Sequence, residues 1–161
     1  MDANTVATPR TAGSPAWRAL LVLGDLLALF LFVLVGQMDH ELLPDANPLW
    51  YTLTRALPFI AVWLAGGWLV GAFRLPAPGS WRTRLWMLGG RALHAWMLAA
   101  PLGLLLRALL LERATIPTLF FAATLGFGAL FLLAWRLLFG LLWAGRPSVR
   151  RRGAPAPRGH G

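Results

Sequence analysis

Residues 19–35 read Ala-Leu-Leu-Val-Leu-Gly-Asp-Leu-Leu-Ala-Leu-Phe-Leu-Phe-Val-Leu-Val, an apolar run interrupted by one charge, Asp25. At about 1.5 Å per helical residue, a helix containing this run is long enough to cross a bilayer core of about 30 Å. An ionised side chain near the middle of such a helix costs about 2.5–3.5 kcal/mol on insertion scales, so it usually faces the protein interior. The stretch therefore predicts a membrane-spanning helix over residues 17–37, with Asp25 turned toward other helices.

The composition of the whole chain agrees with a membrane protein. Of its 161 residues, 58% are hydrophobic and only 13% are charged, and the mean hydropathy is +0.62. These values suit a small bundle of spanning helices and do not suit a soluble domain. The chain has no cysteine, which excludes disulfides, thiolate metal sites and a cysteine nucleophile.

Further apolar segments predict three more spans, over residues 52–73, 86–110 and 116–143. The second span contains Pro58 and Gly67-x-x-x-Gly71, small residues at a spacing that lets helix backbones approach closely. The fold class predicted is an all-α membrane protein, a four-transmembrane-helix bundle.

Two tails flank this transmembrane domain of residues 16–144. The leader, residues 1–15, is short and polar, and residues 145–161 combine arginine with proline, glycine and alanine. Neither composition supports a packed core, so both tails are predicted to be disordered.

The distribution of arginine predicts the orientation. The formal net charge is +9, and ten arginines lie in the leader and the start of the first span, in the connection around residues 74–84 and in the tail, against three in the other two connections and their flanks. Because positive residues stay on the cytoplasmic side, both termini are predicted inside a bacterial cytoplasmic membrane. The arginines flank apolar spans and form no stripe with interleaved aromatics, so the lipid bilayer is the expected partner and nucleic acid is not.

Arg136, the single charge of the fourth span, is the predicted partner of Asp25. Asp25 lies eight residues after Trp17, and Arg136 lies seven residues before Trp143 on a helix that runs the other way. Both are therefore about 10–12 Å from the same interface at about 1.5 Å per residue. We predict an ion pair between the first and fourth spans.

His94 lies eight residues after Trp86, so we also predict it in the layer of Asp25. One interpretation is a proton relay of Asp25 and His94 tuned by Arg136, because intramembrane Asp and His chains recur in pumps and transporters. The other is a buried histidine beside an ion pair that holds the bundle together. We prefer the second, because buried ion pairs often fix register without catalysing anything.

Arg91, Arg107 and His40 are the other polar residues within or beside the spans that are predicted to associate with the pair or with the loops. His40 lies in an acidic loop with Asp39, Glu41 and Asp45, but consecutive residues rarely converge on one ion, so no metal site is predicted. The sequence contains neither a Gly-x-Ser-x-Gly turn nor a glycine-rich phosphate loop. We therefore predict no catalytic residues and no cofactor.

Several short motifs, in their order along the chain, resemble a known family. They are Gly24-Asp25 in the first helix, then Gly36 and His40, Pro58, Gly103-x-x-x-Arg107 and Trp135-Arg136. Over roughly residues 20–138 this pattern is similar to the small bacterial membrane proteins grouped as domain of unknown function 3054. The resemblance implies a four-helix integral membrane protein, and it implies no activity.

Two functions remain open from the sequence. The first is a non-enzymatic structural or partner-binding subunit whose partner is another membrane protein or a second copy. The second is a small proton-coupled transporter acting as a homo-oligomer, because four short helices enclose little space. Transport predicts that Asp25 is open to water in one state, whereas a scaffold predicts that it is buried and paired.

Overall fold

The computed structural model describes residues 15–39, 47–77, 80–110 and 117–144, and within these ranges the chain forms four α-helices and no strand. They are α1 (Pro15–Asp39), α2 (Pro48–Leu69), α3 (Trp81–Leu110) and α4 (Thr118–Ala144). Each is long and apolar enough to cross a membrane. The prediction of an all-α four-helix membrane bundle is confirmed. Pro15, assigned to the leader, begins α1, while the rest of the leader and the tail lie outside the described residues.

The helices form a closed ring in which each helix packs against its neighbours in the sequence and α1 packs against α4. Aromatic rings fill the centre. Phe32 of α1 packs edge-to-face on Phe59 of α2, with ring centroids 6.2 Å apart, and on Trp96 of α3 at 6.3 Å. Trp63 of α2 completes the cluster, 6.2 Å from Trp96. All four helices therefore contribute to one core, since Phe131 of α4 also packs against Phe32.

Glycines on one helix receive aromatic rings from the next. The indole of Trp96 occupies the space that a Cβ at Gly128 would need, and its Nε1 donates a hydrogen bond to Leu125 O at 3.0 Å. Phe59 packs in the same way on Gly103. Small residues let membrane helices approach closely. Here the freed space holds a ring, so each contact fixes the rotation of two helices as well as their separation.

The residues of α4 at spacings of three and four predict an inward stripe of mostly small residues, which the structure bears out only in part: Ala122, Gly126, Ala129, Leu133, Arg136 and Gly140. That stripe includes Ala122 and Gly126, which are exposed. The buried residues of α4 are Thr124, Gly128, Leu132, Arg136, Phe139 and Gly140, so the predicted stripe is correct at Arg136 and Gly140 and wrong at its start. The reason is the contact of Trp96 with Gly128, which turns this side of α4 toward α3.

Helices α2 and α3 begin several residues before the predicted spans, because polar residues cap them. Asn47 precedes α2 in the left-handed region, with φ of 57°, and its side chain accepts a hydrogen bond from Trp50 N at 3.4 Å. Ser80 precedes α3, and its hydroxyl accepts from Thr83 N at 3.2 Å. Asn and Ser are preferred at this position because their oxygens satisfy free N–H groups of the first turn. Hydropathy locates the apolar part of a helix and misses these polar first turns.

Helix α2 ends at Leu69, before the predicted Phe73, in a Schellman motif. Gly71 has φ of +69°, Ala72 N donates to Gly67 O at 2.7 Å, and Gly71 N donates to Trp68 O at 3.2 Å. A glycine that adopts the left-handed conformation is the usual residue at this position. The interpretation of Gly67-x-x-x-Gly71 as a helix-packing motif is therefore wrong. Gly71 ends the helix, and Gly67 lies under the ring of Phe73.

Replacing Gly71 with alanine is expected to lower the free energy of unfolding by about 1–2 kcal/mol, because a Cβ is disfavoured in the left-handed region. Reversible unfolding in mixed micelles, followed by circular dichroism, measures the change. Gly66→Ala is the matched control, since Gly66 is helical and a Cβ there meets nothing within 4 Å. Equal stability of the two variants would contradict the role given to Gly71.

Candidate functional site

The structure brings Asp25 of α1 and Arg136 of α4 together inside the bundle. Asp25 is 0% exposed and Arg136 is 1% exposed. The antiparallel packing of α1 and α4 places them at one height, as the rings of Trp17 and Trp143 show nearer the helix ends, with centroids 6.1 Å apart. The counting of residues from the two tryptophans therefore identified two side chains that meet.

The contact between the two side chains is bidentate. Arg136 Nε donates to Asp25 Oδ1 at 2.9 Å, and Arg136 Nη2 donates to Asp25 Oδ2 at 2.5 Å. Such a fork fixes the orientation of both groups in addition to neutralising their charges. The pair therefore couples the first and last helices across 111 positions of sequence.

A third element joins the pair. Arg136 Nη1 donates to Ala72 O at 2.7 Å, and Ala72 is fully buried in the turn that follows α2. The Schellman motif at Gly71 places this turn, so the cap of α2 also positions an acceptor for the guanidinium. Each nitrogen of Arg136 then has an acceptor, which is what a buried guanidinium requires.

Tryptophan and the connection between α2 and α3 enclose the site. The ring centroid of Trp63 lies 5.9 Å from Arg136 Cζ, within the range of a cation–π contact. Leu75, in the connection, packs against the buried cluster of Leu21, Leu88 and Phe139. The connection is held to α3 by Arg91, whose Nη1 donates to Arg74 O at 3.1 Å.

The neighbours of the charged residues form a second contact between the same helices. The indole of Trp135 occupies the space beside Gly24, and Trp135 Nε1 donates to Leu21 O at 3.1 Å. The same arrangement occurs at Trp96, which packs on Gly128 and donates a hydrogen bond to the carbonyl of Leu125, three residues before that glycine. The dipeptides Gly24-Asp25 and Trp135-Arg136 therefore contact each other at both positions. The indole of Trp135 packs on Gly24, and the guanidinium of Arg136 binds the carboxylate of Asp25.

Comparison with protein-family models identifies the family. The model of the family described as "Protein of unknown function (DUF3054)" matches residues 22–139. The chain belongs to this family. Comparisons with curated proteins and with solved structures find no match.

The match to DUF3054 includes both dipeptides of the site and the turn that supplies Ala72 O. The family resemblance predicted from the order of motifs is confirmed. Sequence reasoning missed Ala72 and Trp63. Ala72 contributes its backbone carbonyl, which residue type does not indicate. Trp63 is a large residue with a polar N–H group in the middle of an apolar span, and this was a signal in the sequence.

His94 does not join the pair in this DUF3054 protein. It lies on the exposed side of α3, and its Nδ1 is 2.7 Å from Gly90 O of its own helix. The inward stripe of α3 runs through Ala92, Ala95 and Ala99, and a residue adjacent to Ala95 is rotated by about 100° from it. The predicted burial of His94 beside the ion pair is therefore wrong, because its side chain is exposed and does not face Asp25.

The remaining predicted residues lie elsewhere. Arg107 is half-buried near the far end of α3, and its Cζ lies 5.2 Å from the ring centroid of Phe120 of α4. Arg91 supports the pair indirectly through Arg74 O. His40 lies outside the described residues. Within the described ranges no group of three or more His, Cys, Asp or Glu converges as metal ligands.

The buried ion pair of Asp25 and Arg136, together with the acceptor Ala72 O, forms a closed site that we call the Asp25–Arg136 clamp. Its carboxylate and guanidinium neutralise each other, and hydrogen bonds and rings surround them. In the part of the chain that the structure describes, Trp63 Nε1 and Gln37 Nε2 are the buried side-chain atoms with no hydrogen-bond partner. This geometry favours a structural role, in which the ion pair holds α1, α4 and the turn after α2 in one fixed arrangement.

Proposed function

We propose that the protein is a non-enzymatic structural or partner-binding subunit of the bacterial cytoplasmic membrane, whose four helices are fixed by the Asp25–Arg136 clamp. The observation that carries the proposal is the complete burial of a bidentate ion pair with a third acceptor, Ala72 O. A buried ionic group in a membrane needs a partner. The clamp gives each buried charge that partner, and because it connects α1, α4 and the turn after α2 it also stabilises the fold.

The proposal is tested by measuring proton flux into liposomes that contain the purified protein. A structural subunit is expected to give no more flux than protein-free vesicles at any imposed pH gradient. Flux that the wild type supports, and that Asp25→Asn abolishes while the helix content is kept, would contradict the proposal and favour a transporter.

The partner-binding part is tested in native membranes of the source cell. Mild extraction followed by native electrophoresis is expected to show the protein in an assembly larger than one chain. The charge-neutral double variant Asp25→Asn/Arg136→Met should enter the same assembly if the pair acts only through the fold. Monomeric migration of the wild type would contradict a partner-binding role.

The proposed orientation places both termini and the connection between α2 and α3 in the cytoplasm. It is supported by the ten arginines on that side, against three on the other. Reporter fusions at residues 45, 78, 114 and 155 test it. We expect a periplasmic reporter to be active at 45 and 114 and a cytoplasmic reporter at 78 and 155, and the reverse pattern would contradict the orientation.

A further inference from the structure

A groove of about 380 Å³ opens on the outer surface of α3, at the end of the bundle where that helix begins. Gly89 and Gly90 of α3 and Leu133 of α4 are among the residues that line it. A Cβ built at Gly90 would meet nothing within 4 Å, so the groove at this point is open space beside the backbone. From Trp81 to Leu93, its first and last lining residues on α3, it extends about 18 Å at about 1.5 Å per residue.

The upper rim of the groove carries a cation and two indoles. Arg82 lines the groove, and its Cζ lies 5.9 Å from the ring centroid of Trp81. Among the described residues Arg82 makes no ion pair. Trp81 is 57% exposed and Trp86 is 81% exposed. Tryptophans concentrate at the level of lipid headgroups, so this end of the groove lies where a lipid phosphate is expected, and the two glycines, which come later in α3, lie deeper in the membrane.

We propose that this groove binds one anionic phospholipid, with its phosphate on Arg82 and an acyl chain along Gly89 and Gly90. The lining is complementary to such a lipid in charge and polarity, since it has one cation at the interface end and apolar groups along the rest. A phospholipid has the same distribution, with a single anionic group at one end of a long apolar body. Lipid headgroups bearing negative charge are attracted to basic residues near the membrane surface. The proposal holds for either orientation of the protein, so it does not depend on the proposed function.

Native mass spectrometry of the purified full-length protein tests the proposal, with phosphatidylglycerol and phosphatidylcholine of identical acyl chains as probes. We expect the wild type to retain one phosphatidylglycerol in preference to phosphatidylcholine. Arg82→Gln should weaken phosphatidylglycerol binding about fivefold and leave phosphatidylcholine unchanged, because one basic residue is lost. Gly90→Leu should weaken both lipids, because its side chain fills the groove.

Matched controls separate the groove from general attraction to lipid. Arg18 is an exposed arginine near the start of α1, and Gly126 is an exposed glycine of α4 where a Cβ meets nothing within 4 Å. Arg18→Gln and Gly126→Leu are expected to retain the lipid as the wild type does. Circular dichroism checks that all four variants keep their helix content.

Two results would overturn the proposal. The first is that Arg82→Gln weakens lipid binding no more than Arg18→Gln, which would make the attraction non-specific. The second is that the wild type is a dimer that Gly90→Leu converts to a monomer, which would make the occupant of the groove a second copy of the chain.

Discussion

Arg136→Met is expected to lower the free energy of unfolding by about 3–5 kcal/mol, the cost of removing one partner of a buried ion pair. The substitution keeps an unbranched apolar stem in place of that of arginine and removes the guanidinium with its charge. It leaves the Asp25 carboxylate buried without a counter-charge and the Ala72 carbonyl without its donor. Reversible unfolding of the purified protein in mixed micelles measures the change.

The control for this variant is Arg18→Met, which removes an exposed arginine from the same end of the bundle. Because exposed substitutions usually change stability by less than about 0.5 kcal/mol, Arg18→Met should unfold like the wild type. If Arg136→Met unfolded within about 1 kcal/mol of Arg18→Met, the pair would contribute little to the fold, well below the cost expected of a broken buried pair.

Gly24→Leu is expected to lower the free energy of unfolding by about 2–4 kcal/mol, from overpacking and the loss of one hydrogen bond. A Cβ at Gly24 would fall within the indole of Trp135, whose Nε1 is bonded to Leu21 O. The ring must move, and the α1–α4 contact beside Asp25 moves with it. Unfolding in mixed micelles again gives the magnitude.

Gly36→Leu provides the comparison for Gly24→Leu, because Gly36 is an exposed glycine of the same helix with nothing within 4 Å of a built Cβ. Leucine forms helix better than glycine, so this variant should be as stable as the wild type or slightly more so. A similar loss in both variants would mean that the cost arises from α1 itself and that the Trp135 contact is unimportant.

The ion pair is the part of the site that sequence could predict, since charges are rare in apolar spans and their depths can be counted. Asp25 and Arg136 are at matched depths from Trp17 and Trp143, and no other charge lies in the first or fourth apolar run. In a bilayer two such residues are expected to pair, because an unpaired charge that faces lipid is energetically costly. The prediction therefore needed only the polarity of the spans and the number of residues between each charge and its interfacial tryptophan.

The rotation of the helices could not be read in the same way. Helix α4 is apolar nearly all round, and lipid tails are as apolar as a core, so hydrophobicity does not distinguish its inner face from its outer face. The inner face is decided by Trp96 seated on Gly128, a contact between residues far apart in sequence. The same limitation misplaced His94, which is displaced from the inward stripe by a single residue.

The turn after α2 escaped prediction for a different reason. Gly71 fits a close-packing motif and a helix C-cap equally well by residue type, and only the positive φ distinguishes the two. Its consequence, a buried carbonyl for Arg136, involves the backbone of Ala72. Backbone acceptors carry no residue signature, so this part of the site becomes visible only in three dimensions.

The central claim is that Asp25 and Arg136 stabilise the bundle as a pair, and a double-mutant cycle of Asp25→Asn and Arg136→Met tests it most directly. Each single variant leaves one charge buried alone, whereas the double variant leaves none. We predict that the double variant unfolds with a higher free energy than either single variant, because the penalty of an isolated buried charge is removed. Losses that simply add, within about 0.5 kcal/mol, would contradict the claim.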